Sequence, residues 1–157
     1  MKITLLTVGE TDRNWTRDGL ETYSSRLRHY VPFTVKEIPE LRNAASLSRE
    51  QIQEKEGDLI LKMLKPTDEV ILLDERGKEF SSLEWAADLE RRMALSGKDI
   101  VFVIGGAYGF SRKVYDRSDF RMSLSRMTFS HQMVRVIFTE QLYRAFTIMR
   151  GQPYHHE

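Results

Sequence analysis

Ile100-Val101-Phe102-Val103-Ile104 runs without a polar break into Gly105-Gly106-Ala107-Tyr108-Gly109. A wholly apolar run closed by glycine reads as a strand covered on both faces, the pattern of a parallel sheet flanked by helices. Val70-Ile71-Leu72-Leu73 is a second such run, and Asp74-Glu75-Arg76-Gly77 follows at its carboxyl end. Outward from these two strands the chain alternates. Ile3 to Val8 is β-rich, Gly9 opens a turn, and Thr11 or Asp12 is placed to cap a helix. Trp15, Leu20, Tyr23, Leu27 and Tyr30 recur along that helix at near-helical spacing. Pro32 ends it, Phe33 to Ile38 is a strand closed by Pro39, and Leu41 to Leu47 reads as an exposed loop. Ser48 and Gln51 form a capping box for a helix through Leu64, with Ile52, Leu59, Ile60 and Met63 as its apolar face. Ser81 and Glu84 form a second capping box, and Gly97 supplies that helix's stop.

Ser111 to Arg117 fits a short helix. Phe120 to Met122 with Arg126 to Phe129 fits a last strand and its loop. Met133 to Met149 is a helix with Val134, Ile137, Phe138, Leu142, Ala145 and Phe146 turned inward. Strands alternating with helices predict an α/β fold, a mainly parallel sheet flanked by helices, in a single domain over 1–157. Ligands of such folds bind beyond the carboxyl ends of the strands, here Leu73-Asp74, Gly105-Gly106 and the 124–131 segment.

Composition narrows the function classes. The chain has 157 residues, 41% of them hydrophobic and 30% charged, enough apolar material to bury a core. The absence of Cys excludes disulfides, thiolate metal sites and thiol nucleophiles, and fits a reducing cytoplasm. The opening Met1-Lys2-Ile3-Thr4-Leu5-Leu6 is too short for a signal peptide. No apolar run approaches the ~20 residues of a membrane span. A net charge of +1 gives no global signature of nucleic-acid binding, so any phosphate-binding surface must be a local patch.

Several constellations carry chemistry, each with a plainer reading. Gly105-Gly106-Ala107-Tyr108-Gly109 is neither the dinucleotide fingerprint nor a Walker loop; it lets backbone approach a ligand, or is simply a tight turn. Arg144 is either a phosphate clamp or a partner for Glu140 one helical turn away. His131, after Ser130, is a near-cap residue whose backbone can help wrap an adenosine-type ligand at a helix start. The closing Tyr154-His155-His156-Glu157 offers a stacking ring and proton acceptors, while two adjacent histidines make a weak metal site. Arg112, Lys113, Arg117, Arg121, Arg126, Arg135, Arg144 and Arg150 interleave with Tyr108, Phe110, Tyr115, Phe120 and Phe129, a mixture that suits unpaired bases or a solvated face over core aromatics.

Taken together, these segments resemble the RlmH family, the SPOUT-class methyltransferases of 23S ribosomal RNA. The likeness spans essentially the whole chain, from Met1-Lys2-Ile3 with Val8-Gly9, Asp12 and Trp15, through Glu37-Ile38-Pro39 and Glu54-Lys55-Glu56-Gly57. Its most specific parts are Leu72-Leu73-Asp74 with Gly77-Lys78, Ile104-Gly105-Gly106 with Gly109, Leu124-Ser125, Val134-Arg135-Val136, Glu140-Gln141-Leu142-Tyr143-Arg144-Ala145, and Pro153-Tyr154-His155 with Glu157. The chain departs from the family pattern at Tyr108 in the glycine loop and at Ser130 before His131.

The resemblance implies a C-terminal trefoil knot, a cytoplasmic homodimer, and S-adenosylmethionine as methyl donor without a metal. It places the donor at Leu73, Gly106 and the segment Ser125, Arg126, Met127, Thr128, Phe129 and Ser130, with Gly105, Leu124 and His131 adjacent. It implies N3 of a pseudouridine in helix 69 of 23S rRNA, in the assembled ribosome, as acceptor. Arg144 then serves the RNA side, Tyr154 is a stacking platform, and His155 or Glu157 takes the N3 proton. Two readings from other classes compete. A silent ribosome-assembly factor would keep the arginines and need neither pocket nor tail. A small-molecule nucleotide enzyme would need a phosphate loop that this sequence lacks.

Overall fold

The computed structural model describes residues 1–156. Its elements follow the alternation: β1 (Ile3–Val8), α1 (Trp15–Leu27), β2 (Phe33–Ile38), a 3-10 turn (Ala44–Ser46), α2 (Arg49–Lys62), β3 (Glu69–Glu79), α3 (Ser82–Ser96), β4 (Ile100–Ile104), α4 (Arg112–Arg117), β5 (Phe120–Ser123) and α5 (Met133–Met149). The strands form one five-stranded sheet in the order β2-β1-β4-β3-β5. Every pairing is parallel.

The two apolar runs are its centre. All five residues of β4 are buried, and its alternating side chains feed two cores. Ile100, Phe102 and Ile104 join Leu20 and Leu27 of α1, Trp85 and Leu89 of α3, and Phe138, Leu142 and Phe146 of α5. Val101 and Val103 face the other way, with Ile60 of α2, Phe110 from the loop after β4, and Val114 of α4. Continuous apolar sequence is therefore the consequence of helices on both faces.

Local chemistry sets the ends. Ser48 and Gln51 exchange both bonds of a capping box at α2. At α3 only half of the expected box forms: Ser81 accepts from the Glu84 N–H. The cap of α1 is Asn14, whose side chain accepts from Thr16 N–H, and not Thr11 or Asp12. Those two residues are engaged elsewhere: Thr11 Oγ1 accepts from Arg135, and Asp12 N–H donates to Gln132. Trp15, expected on the inner face, is 57% exposed, while Leu20 and Leu27 are buried.

The largest departure is β3, which continues past Leu73 to Glu79. Leu73 and Lys78 both align with Met122 of β5, so residues 74–77 form a bulge. Gly77 permits it: a Cβ there would lie 2.6 Å from the Arg121 carbonyl carbon. The bulge lifts Asp74, Glu75 and Arg76 off the sheet at its carboxyl edge. That placement matters for the cleft beside them.

Candidate active site

The carboxyl ends of β3, β4 and β5 open into one cleft of about 250 Å³. Leu73, Gly105, Gly106, Leu124, Ser125, Met127, Thr128, Phe129 and His131 all line it. Arg126 and Ser130 do not. The Arg126 side chain is 87% exposed and reaches Glu79 at 3.5 Å. Ser130 Oγ accepts from Met133 N–H at 3.0 Å, fastening the first turn of α5. The 124–131 coil is held by its own serines, since Ser123 Oγ donates to Ser125 O and Met127 N–H donates to Ser125 Oγ.

The glycine loop is narrow because its neighbours are close. A Cβ on Gly105 would meet the Phe110 ring at 2.9 Å, and one on Gly106 would meet the Glu56 carboxylate at 2.5 Å. Glu56 Oε1 is buried and has no hydrogen-bond partner among the described residues. Burial, then the charge of Glu40, pushes its carboxyl above the ordinary range.

The sequence pointed to Asp74 only as part of a strand end where ligands bind and to Tyr115 only among aromatics that suit unpaired bases, and gave Glu75 and Val134 no role at the site; all four line the cleft. Asp74 is nearly buried; it accepts from the Tyr115 hydroxyl at 2.5 Å and from Arg76 N–H at 2.9 Å. Burial first, then that bond to Asp74, raises the Tyr115 phenol above its usual value. Thr128 Oγ1 donates to Glu75 at 2.9 Å, joining the bulge to the 124–131 coil across the cleft. The signal for Asp74 and Glu75 was their place after an apolar strand; Tyr115 looked like one more core aromatic.

Chemically, the cleft combines apolar walls (Leu73, Ile104, Phe110, Leu124, Val134) with exposed backbone and two carboxylates. Its basic residues are Arg76, drawn towards Asp74, and His131. That charge balance suits a cation and opposes a di- or triphosphate. The described residues hold no group of His, Asp and Glu able to bind a metal ion. No helix among them is long and apolar enough to cross a membrane.

A second cluster lies at the other end of α5. Arg144 donates to Glu140 at 2.9 Å and lies 4.8 Å above the Tyr154 ring. The pairing with Glu140 expected from helical spacing therefore forms, and the same guanidinium also meets the tail. Its Nη1 is 3.0 Å from His155 Nδ1. A guanidinium only donates, so in this contact Nδ1 is placed as an acceptor. Tyr154 is pushed up to about 12, by burial first and then by its bond to Tyr23 and the Glu140 charge, so it remains a phenol at neutral pH. Glu157 lies outside the described residues. Val134 of the cleft and Arg144 are ten residues apart on one helix, about 15 Å at 1.5 Å per residue.

The parallel sheet and the cleft at its carboxyl edge are those of a SPOUT-class methyltransferase: residues 1–155 match the family model described as "Predicted SPOUT methyltransferase". A protein of Haemophilus influenzae Rd KW20, described as a "probable methylase family protein", shares the fold with a TM-score of 0.55 at 12% identity, over 99% of this chain and 70% of that one. Two full-length relatives are nearer in sequence, each bearing the name ribosomal RNA large subunit methyltransferase H. The Parabacteroides distasonis protein is 51% identical and the Phocaeicola vulgatus protein 54%, over 100% of both chains in each case. The chain belongs to this ribosomal RNA large subunit methyltransferase H family of the SPOUT class.

Proposed function

We propose that the protein is a cytoplasmic, homodimeric S-adenosylmethionine-dependent methyltransferase, knotted at its C-terminus, acting on N3 of a pseudouridine in helix 69 of 23S rRNA within the assembled ribosome. The observation that carries this reading is the meeting of Leu73, Gly105-Gly106 and the 124–131 coil in one cleft whose charged lining favours a cation. Leu73, Leu124 and Phe129 would hold the adenosine against backbone of the glycine loop. Asp74 and Glu75 would face positive charge. Bound S-adenosylmethionine would supply an electrophilic methyl on its sulfonium, the sulfur being left as a neutral thioether once that S–C bond breaks.

The chain's own residues must align N3 and remove its proton. Alignment supplies most of the gain. Arg144 and Tyr154 are fixed to each other and suited to a phosphate or a base. His155, in contact with Arg144, and Glu157 are the candidate proton acceptors in the tail. Because the tail cluster and the cleft are about 15 Å apart along α5, a site using both takes its tail from the partner subunit. Exposed Trp15 and Met133, at the starts of α1 and α5, offer apolar surface for that pairing.

The test is methyl incorporation into ribosomes lacking the modification, followed by mass spectrometry of the RNA. Transfer to N3 of the helix 69 pseudouridine is expected. A donor-bound, folded dimer that modifies no position of such ribosomes would overturn the reading.

A further inference from the structure

We propose that the rim of the cleft, where Tyr108 of the glycine loop meets Arg49 of α2, stacks a nucleotide that neighbours the target in the RNA. The inference rests on the RNA-methyltransferase reading and gives that site a subsite for the flanking strand, outside both the cleft and the tail.

The first observation is the direction of the ring. Ala107 and Gly109 line the cleft, and Tyr108 between them does not. Its side chain is turned out of the pocket and is 41% exposed. On the 124–131 coil, another wall of the same cleft, Met127 is 76% exposed. Two of the chain's most exposed large apolar side chains thus stand on the loops that frame one opening. A strand delivering a base to the cleft would run over those loops. The ring is also held in place. Gln53 of α2 donates from Nε2 to Tyr108 O at 2.9 Å, and Gly109 N–H donates to Gly106 O at 3.2 Å with Gly109 at φ 76°. A turn fastened on both sides presents its ring at little entropic cost to a ligand.

The second is charge. Arg112, Lys113 and Arg126, on α4 and the 124–131 coil, each lie within 4.0 Å of a carboxylate. Arg49 is exposed and has neither a carboxylate nor a hydrogen bond for its guanidinium among the described residues. Its helical neighbours explain this: Ile52 and Gln53 stand three and four residues on, and Gln53 is committed to Tyr108. The guanidinium lies 5.3 Å from the Tyr108 ring centre instead. A cation on one face of a ring steadies it as a platform and keeps the N–H fork for an anion. A base on the ring and a phosphate on the fork is how unpaired nucleotides are held. A protein partner would call for a wider apolar patch than one ring and one thioether.

The third is place. Helix α2 packs with α4 on the sheet face opposite α1 and α5. The rim therefore lies outside the surface that α1 and α5 offer for pairing.

The experiment compares the full-length protein with Tyr108→Ala, Tyr108→Trp, Arg49→Ala and Lys98→Glu, the last a control that reverses a charge before the amino end of β4. An RNA hairpin carrying the target loop is titrated over a range of salt. Donor binding is followed by calorimetry, and methyl transfer is measured against ribosome concentration. Tyr108→Ala should weaken hairpin binding by roughly fivefold to a hundredfold, the loss of one stacked base, and Tyr108→Trp should restore it. Arg49→Ala should flatten the log–log salt slope by about 0.7, the share of one single-strand phosphate. In both alanine variants KM for ribosomes should rise while kcat and donor affinity hold, and Lys98→Glu should resemble the parent. Unchanged hairpin affinity in Tyr108→Ala would overturn the proposal. So would a loss of donor affinity there, since the ring would then only brace the glycine loop. Alanine variants that bind the hairpin like the parent yet raise KM for ribosomes would give the rim to a ribosomal protein and overturn it too. If the parent binds the hairpin with the stated dependence on Tyr108 and Arg49 but transfers no methyl to ribosomes, the methyltransferase reading fails and the rim stands.

Discussion

Arg135 is 1% exposed, and no solvent shares its charge. Its guanidinium donates to Val8 O, Gly9 O, Thr11 Oγ1 and His131 O, with Glu37 3.6 Å away. Burial pulls its proton affinity down while the Glu37 charge opposes that, and the bonds keep it cationic. One side chain thus fixes the β1–α1 turn against the backbone of His131, a wall of the cleft. Arg135→Met should lower stability by about 3–5 kcal/mol, because several acceptors are left dry, and should weaken donor binding. Chemical denaturation and calorimetry check the two effects. Glu56 acts in the opposite sense. Its folded-state affinity for a proton is raised, so the native state binds the proton more readily and loses stability as pH rises out of the ordinary carboxylate range. Glu56→Gln should flatten that dependence and gain most at neutral pH. Melting curves showing the same pH profile as the parent would contradict it. The Glu56 carboxylate also blocks any side chain at Gly106, so Gly106→Ala and Glu56→Ala should be less harmful together than their separate effects predict, a coupling that a double-mutant cycle reads directly.

Elements whose ends are written in local chemistry were legible in the sequence. The Ser48–Gln51 box starts α2, and α5 runs over the expected Met133–Met149, though its buried face includes Arg135, Thr139 and Thr147 while Val134 and Ile137 are only partly buried. Strand β3 was not, because its continuation after Leu73 depends on a distant backbone: the bulge exists where Gly77 meets Arg121 and Met122. No local pattern in Asp74-Glu75-Arg76-Gly77 announces a contact more than forty residues away. The cleft was legible only as strand ends. Its carboxylates arrive by way of the bulge, and Tyr115 by way of α4. Gly77→Ala should therefore act on both fold and site. The added Cβ meets backbone, which cannot swing aside, so a loss of more than about 2 kcal/mol is expected. Donor affinity should fall with it, since Asp74, Glu75 and the Thr128 bond all hang on the bulge. A variant that melts like the parent and binds the donor equally would show that the strand tolerates another register.

At the scale of the whole molecule, the cleft and the tail cluster lie near opposite ends of α5, about 15 Å apart along its axis. On the proposed homodimer, each tail would meet the other copy's cleft, and that reading makes a sharp statement about mixed dimers. Combine a protomer disabled in the cleft by Gly106→Val with one lacking residues 154–157. In a site shared between subunits, the mixed dimer holds one intact pair, cleft from one chain and tail from the other, while its second pair is doubly defective. Equal random mixing makes half the dimers mixed, so activity should return to about a quarter of the parent level. Each variant alone should be nearly inactive: Gly106→Val blocks the cleft, and loss of the tail's proton acceptor costs about a hundredfold to ten-thousandfold in rate. The measurement is methyl incorporation after co-expression with two purification tags, selecting mixed dimers and checking their stoichiometry by mass. Selected mixed dimers should then reach about half of the parent rate per dimer. Silence in the tagged, folded mixed species would place cleft and tail of the same chain in one site, and α5 would have to move for the reaction to occur.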